Sequence, residues 1–217
     1  MRPQDAIAYY AAAASRVLAE RFAATRCLNG TRICLDVMER LHLQCRPCSV
    51  VAFARNAYYE CVVERLGRLP TATEMLDVIE AGGWAVVTDI RPMPSDASDN
   101  VWPGHLVAIV EGVLVDSAAL QFHRPAKGIF VPDIITFEGA DRQFRRGRRE
   151  LTRASVAGTV LSYTARPTDN TYKTGAGYQR SPHNREAVED ILQLMHAAHR
   201  QVEAQWVVSP VAKQVAQ

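Results

Sequence analysis

Apolar residues first recur at helical steps. Ile7, Tyr10, Ala14, Val17, Leu18 and Phe22 form one stripe, which predicts a helix over about residues 5–24. A second stripe, Cys27, Thr31, Cys34, Met38 and Leu41, sits at offsets 0, 4, 7, 11 and 14 and predicts a helix over about 26–41, with Thr25 as its N-cap. The period then changes. Pro47 marks a break, residues 49–54 are a β-branched and apolar strand, and 58–63 read as its neighbour or the end of a hairpin. Thr71 and Glu74, at capping-box spacing, open a third helix that Gly82-Gly83 ends. Downstream the texture is β. Strands are predicted over 84–88, 105–110 and 113–116, the last two joined by a tight turn at Glu111-Gly112. A polar, proline-bearing loop fills 92–103, and a strand over 130–137 is interrupted by Pro132. Residues 141–153 are arginine-rich and polar, and 157–166 form a late strand. A loop over 170–184 precedes an amphipathic helix over 185–205 and a frayed tail over 206–217. Helices first and strands afterwards predict one α+β domain over residues 1–205.

Composition narrows the classes. A chain of 217 residues can bury one real core. With 48% hydrophobic and 22% charged residues, disorder is excluded as the main state. No run approaches the roughly 18 apolar residues of a membrane helix. Arg16 and Glu20 break the N-terminal alanine-rich stretch, so it does not read as a secretory signal, and a cytoplasmic location is expected. A net charge of +2 gives no global push toward nucleic acid or a membrane. Five cysteines, at 27, 34, 45, 48 and 61, are an odd count in a reducing context, so the question is which thiol does chemistry.

Cys27 stands at the first turn of the second predicted helix. Free backbone N–H groups and the positive end of the dipole favour an anion there, and the thiolate is the nucleophilic form. Cys34, two turns deeper, suits a small apolar filler. Gly30 costs about 1 kcal/mol against alanine in a helix, which a close approach at that point would justify. A cysteine nucleophile needs a base, and the base an orienting group. Antiparallel pairing across Glu111-Gly112 sets opposite residues whose numbers sum to about 223. That places Asp116 about one pair from the partner of His105, where a carboxylate and an imidazole on one face can hydrogen-bond.

These residues carry a family resemblance. The stretch from Cys27 through Gly30, Thr31, Cys34 and Met38 to Pro47 resembles the core helix of transglutaminase-like cysteine proteins and the turn that follows it. Gly104-His105-Leu106-Val107-Ala108 resembles the histidine strand of that superfamily, and Val113-Leu114-Val115-Asp116 its acidic strand. His42 stands where the family turn has glycine. The resemblance covers roughly residues 25–120. It implies a papain-like α+β fold and a Cys27–His105–Asp116 triad acting on an amide or ester. The implied enzyme is a hydrolase such as a thiol protease or amidase, or an acyltransferase, with no cofactor or metal and a peptide, protein or small acyl substrate. Trp102, three residues before His105, is expected to wall the substrate cleft.

Three other features carry weaker alternatives. Arg142, Arg145, Arg146, Arg148, Arg149 and Arg153 form a basic stretch. It could serve an inactive binding module of the same fold. Cys45 and Cys48, with Cys61 and His42, could in principle ligate zinc, though no second paired motif accompanies them. His196 and His199 lie one helical turn apart, with only Glu203 near them at ligand spacing.

Overall fold

The structure, a computed structural model of the chain, describes residues 1–22, 27–88, 102, 104–140 and 150–208. Among these, five α-helices accompany seven antiparallel strands. Helices α1 (Pro3–Arg21) and α2 (Cys27–Arg40) come first. Strand β1 (Cys45–Arg55) follows, then α3 (Ala57–Leu66) and α4 (Ala72–Glu80). Next are β2 (Ala85–Val87), β3 (His105–Val110), β4 (Val113–Asp116) and β5 (Ile135–Phe137). Strands β6 (Glu150–Val156) and β7 (Thr159–Ala165) precede the last helix, α5 (Pro182–Val208). The expected mixed architecture, helices packed on an antiparallel sheet, is present.

Strand β1 organises the sheet. It pairs with β3 through Cys45–Val50, with β2 through Phe53–Arg55, and with β7 through Val50–Arg55. The strand order is β5-β4-β3-β1-β7-β6. Pro47 does not break the chain as expected but lies inside β1, opposite Ala108. Strand β7 pairs only from Val50 onward, so at Pro47 the strand has a neighbour on one side, and the missing N–H leaves no ladder gap.

Each face of the sheet has its own core. On one, Ile33, Cys34, Val37 and Met38 of α2 pack with α1, α5 and Ala108, Val110 and Val115 of the sheet. On the other, Val50, Ala52, Ala54, Leu114, Leu161 and Tyr163 meet Phe122 and Ile129 from the segment after β4. Ile135 of β5 and Leu151 of β6 share this second cluster, so the two ends of the sheet curl toward each other.

Three local expectations need correction. Residues 58–63 form the helix α3, not a strand. Asn56 caps it by accepting from the Tyr59 N–H, Gly67 closes it at φ +65°, and Tyr59 and Val62 bury one helical face. Strand propensity of Tyr and Val gave way to those caps and that period. The stretch 141–153 is not all polar surface, because β6 begins at Glu150 and buries Leu151. The last helix starts at Pro182, inside the predicted loop, and runs to Val208, beyond the predicted helix end. The Thr25 cap and most of the 92–103 loop fall outside the described residues. No helix among the described residues is long and apolar enough to cross a membrane.

Candidate active site

The β3–β4 hairpin sets the site. Its turn residues both take positive φ, 47° at Glu111 and 83° at Gly112, the geometry a two-residue hairpin prefers. The resulting register pairs Ala108 with Val115, Ile109 with Leu114 and Val110 with Val113, the sum of 223 read from the sequence. It leaves His105 and Asp116 side by side and fully buried, with His105 Nε2 2.8 Å from Asp116 Oδ2.

Asp116 is held from three directions. The Ala118 backbone N–H donates to Oδ1 at 2.9 Å, an Asx turn that starts the segment after β4. The Tyr163 hydroxyl, from β7, donates to Oδ2 at 2.8 Å, the same oxygen that meets His105. Burial and the neighbouring carboxylate push the Tyr163 phenol well up, so it remains a donor. Buried polar oxygens of this kind are costly unless bonded, and both Asp116 oxygens have partners. For His105, burial opposes the charged form, but Asp116 and then Cys27 outweigh it and raise the imidazole to about 10.

Cys27 opens α2 as expected, and its Sγ lies 3.9 Å from the carbonyl oxygen of Gly104, the residue before His105. It is nearly buried, at 7% exposed, in a cluster with Leu106, Ala118 and Tyr172. Helix α2 reaches this position by packing against β3, where the Thr31 hydroxyl donates to the Leu106 carbonyl at 2.8 Å. Gly30 answers the packing question raised by its sequence. A Cβ there would stand 3.0 Å from the Ser117 carbonyl oxygen, so the missing side chain lets α2 approach the loop that carries Asp116. The Tyr10 hydroxyl shares a hydrogen bond of 2.8 Å with the Ser117 hydroxyl, which ties α1 to the same loop.

Trp102 walls the cluster that contains Cys27. Its indole N–H donates to the Thr171 hydroxyl at 2.9 Å, and its ring meets Tyr172 edge-on at 6.1 Å. A Cβ on Gly104 would come within 2.4 Å of the indole, so a side chain there would have to displace Trp102. The segment around Gly175 and Gly177 lies directly on Leu28 and Asn29, where α2 begins.

Two polar side chains at the site were not found from the sequence. Tyr163 is brought to Asp116 by β7, a contact that requires the full sheet order. Gln121 follows β4 in a 3₁₀ turn (Ala119–Phe122) and sets its side-chain amide nitrogen against Nδ1 of His105. No local motif marks either. A pocket of about 170 Å³ lies beside this loop, lined by Leu18, Phe22, Gly30, Ala118, Leu120 and Ile134.

The remaining cysteines separate from this chemistry. Burial pushes Cys34 up to about 12 and also raises Cys45 and Cys48. Cys45 packs toward the helices, whereas Cys48 belongs to the core on the opposite face. The pair is therefore split across β1 and does not form one chelating unit. Cys61 is exposed on α3. No group of three or more His, Cys, Asp or Glu among the described residues is arranged to hold a metal ion. His196 is exposed on α5, and His199 stacks near Tyr9 at 5.9 Å. The basic stretch at 142–149 lies outside the described residues, while Arg153 forms an ion pair with Glu60 of α3. The chain matches no protein-family model, no curated protein and no solved structure.

Proposed function

We propose that the protein is a thiol enzyme of the papain-like, transglutaminase-like type, performing acyl chemistry on an amide or ester. The observation that carries this reading is the buried imidazole of His105, bonded through Nε2 to Asp116, with the Cys27 thiol at a helix start reaching the carbonyl of the adjoining Gly104. Cys27 Sγ attacks the substrate carbonyl carbon. His105 carries the thiol proton on Nδ1 and returns it to the leaving amine or alkoxide, while Asp116 fixes the tautomer. The helix start supplies the Cys27 backbone N–H as one donor to the oxyanion. Water or an acceptor nucleophile then releases the acyl group. The neighbouring pocket suits a largely apolar acyl portion: Leu18, Phe22, Leu120 and Ile134 line it, and the Asp133 carboxylate that also lines it accepts from the Ser15 hydroxyl.

Thiol mapping tests the reading. Alkylation by iodoacetamide between pH 6 and 7 should occur at Cys27 well before the other four cysteines, and His105→Ala should remove that preference. The same thiol should become acylated by p-nitrophenyl esters, and Cys27→Ala should abolish ester turnover. Equal, slow alkylation of all five thiols would refute it.

A further inference from the structure

We propose that the acyl side of the substrate carries a lysine- or arginine-type side chain, whose cationic end Asp133 receives in the neighbouring pocket; this rests on the reading of Cys27 as nucleophile. Two elements connect the pocket to the thiol. Ala118 belongs to the cluster around Cys27 and also lines the pocket. Gly30 lines it as well, three residues after Cys27 on α2, so the two share one helical face. Asp133 is the one charged residue among the described residues that line it. Its segment is fixed at both ends. Before it, Val131 is buried and its N–H meets His123 Nδ1 at 3.1 Å; after it, Ile135 pairs with Asp116 in the sheet.

The walls and the single carboxylate decide what the pocket can hold. Leu18, Phe22, Leu120 and Ile134 offer apolar surface, which suits the methylene stem of a long basic side chain. The volume is about 170 Å³. A cavity of roughly 150 Å³ takes a benzene-sized group, so a stem of lysine or arginine length fits. Asp133 is half-buried, and its Oδ2 accepts from the Ser15 hydroxyl at 2.5 Å. Among the described residues its Oδ1 has no hydrogen-bond partner, and no cation pairs with the carboxylate. A purely apolar occupant would strip water from Oδ1 and return no bond, which is costly. An anionic occupant would be repelled. An ammonium or guanidinium donates to Oδ1 instead, in a charge-assisted bond about twice as strong as a neutral amide can make. Ser15 keeps Oδ2 throughout. A cation on an aliphatic stem is therefore the occupant that satisfies the walls and the carboxylate together.

Two esters with the same reacting group read the preference. They are the p-nitrophenyl esters of Nα-acetyl-lysine and Nα-acetyl-norleucine, whose side chains differ by the terminal ammonium. Each rate is divided by that of the same ester with free cysteine, which removes intrinsic reactivity. Wild type should then favour the lysyl ester at least about tenfold in kcat/KM. Asp133→Asn keeps an oxygen for Ser15 and removes the charge, and it should bring the lysyl ester down to the rate of the norleucyl ester. Ser15→Ala removes the tie to α1 but leaves the carboxylate, and it should retain the preference. Equal rates for the two esters in wild type would overturn the proposal. So would a preference that survives in Asp133→Asn, which would put the cation elsewhere. An equal fall of both esters in that variant would also overturn it, since Asp133 would then only hold its segment against α1. Failure of the parent reading looks different: wild-type Cys27 would neither alkylate preferentially nor acylate with either ester.

Discussion

The buried His105–Asp116 pair should make folding stability fall with pH in a window where few other groups titrate. Asp116 and Cys27 raise the imidazole from 6.5 to about 10 despite its burial. A group whose pKa is higher folded than unfolded stabilises the fold fully below its unfolded value, and that contribution disappears as pH climbs through the folded value. Each unit of pKa difference is worth about 1.4 kcal/mol. Integrated from pH 6.5 to 8.5, the single proton amounts to about 2 kcal/mol of lost stability. The window stops at 8.5 because buried thiols and phenols, Cys34 and Tyr10 among them, add a loss of the same sign at higher pH. Urea unfolding followed by circular dichroism reads the effect directly. With an m-value of about 2 kcal/mol/M, the midpoint should drop by about 1 M across the window. In Asp116→Asn the buried imidazole loses its carboxylate and remains neutral, so the starting stability is lower and the slope over this window is nearly flat. A wild-type midpoint that holds constant or rises between pH 6.5 and 8.5 would refute the reasoning, as would an equally steep fall in Asp116→Asn.

Other consequences are local. Tyr163→Phe removes one of three donors to Asp116 and should cost about 1–3 kcal/mol in urea unfolding, with slower Cys27 acylation; unchanged stability and rate would show that the hydroxyl is idle. Asn56 accepts from the Tyr59 and Trp84 N–H groups and donates to the Gly82 and Lys127 carbonyls. Asn56→Ala should therefore destabilise by about 3–4 kcal/mol, and a loss under about 1 kcal/mol would mean that water replaces those bonds. Gly104→Ala drives a methyl group into the Trp102 indole, so acylation should slow at least about tenfold through displacement of the cleft wall and His105. A wild-type rate would show that the wall gives way freely.

The candidate site was legible where local rules fix geometry over short distances. A two-residue turn determines its own register, so Glu111-Gly112 was enough to bring His105 to Asp116. The Thr71–Glu74 capping box was readable for the same reason and is present as read. Residues 58–63 misled because Tyr and Val favour strands, although Asn56 before them and Gly67 after them were helix signals at the proper spacing. Leu151 hid within an arginine-rich stretch because β6 mixes one buried apolar position with exposed polar ones. Tyr163 and Gln121 were out of reach for different reasons. Tyr163 meets Asp116 only through a sheet whose strand order is not written in any local pattern. Gln121 sits in a 3₁₀ turn, and its aim depends on how that turn packs. His42 takes a left-handed backbone, at φ 58°, a conformation that glycine adopts without strain and that histidine holds here.

The long strand β1 also sets a timetable for synthesis. It pairs with β3 along its first half and with β7 along its second, so it is translated well before either partner exists. The thiol leaves the ribosome first, the imidazole and carboxylate follow, and the tyrosine that steadies the carboxylate comes after all three, from β7. The turn over Leu28 and Asn29 arrives later still, with Gly175 and Gly177. A nascent or truncated chain ending before β7 thus carries Cys27 without its finished surroundings, together with an unpaired strand edge that invites association. Reactivity and solubility should both switch on only after β7 and the turn over Leu28 and Asn29 have been made.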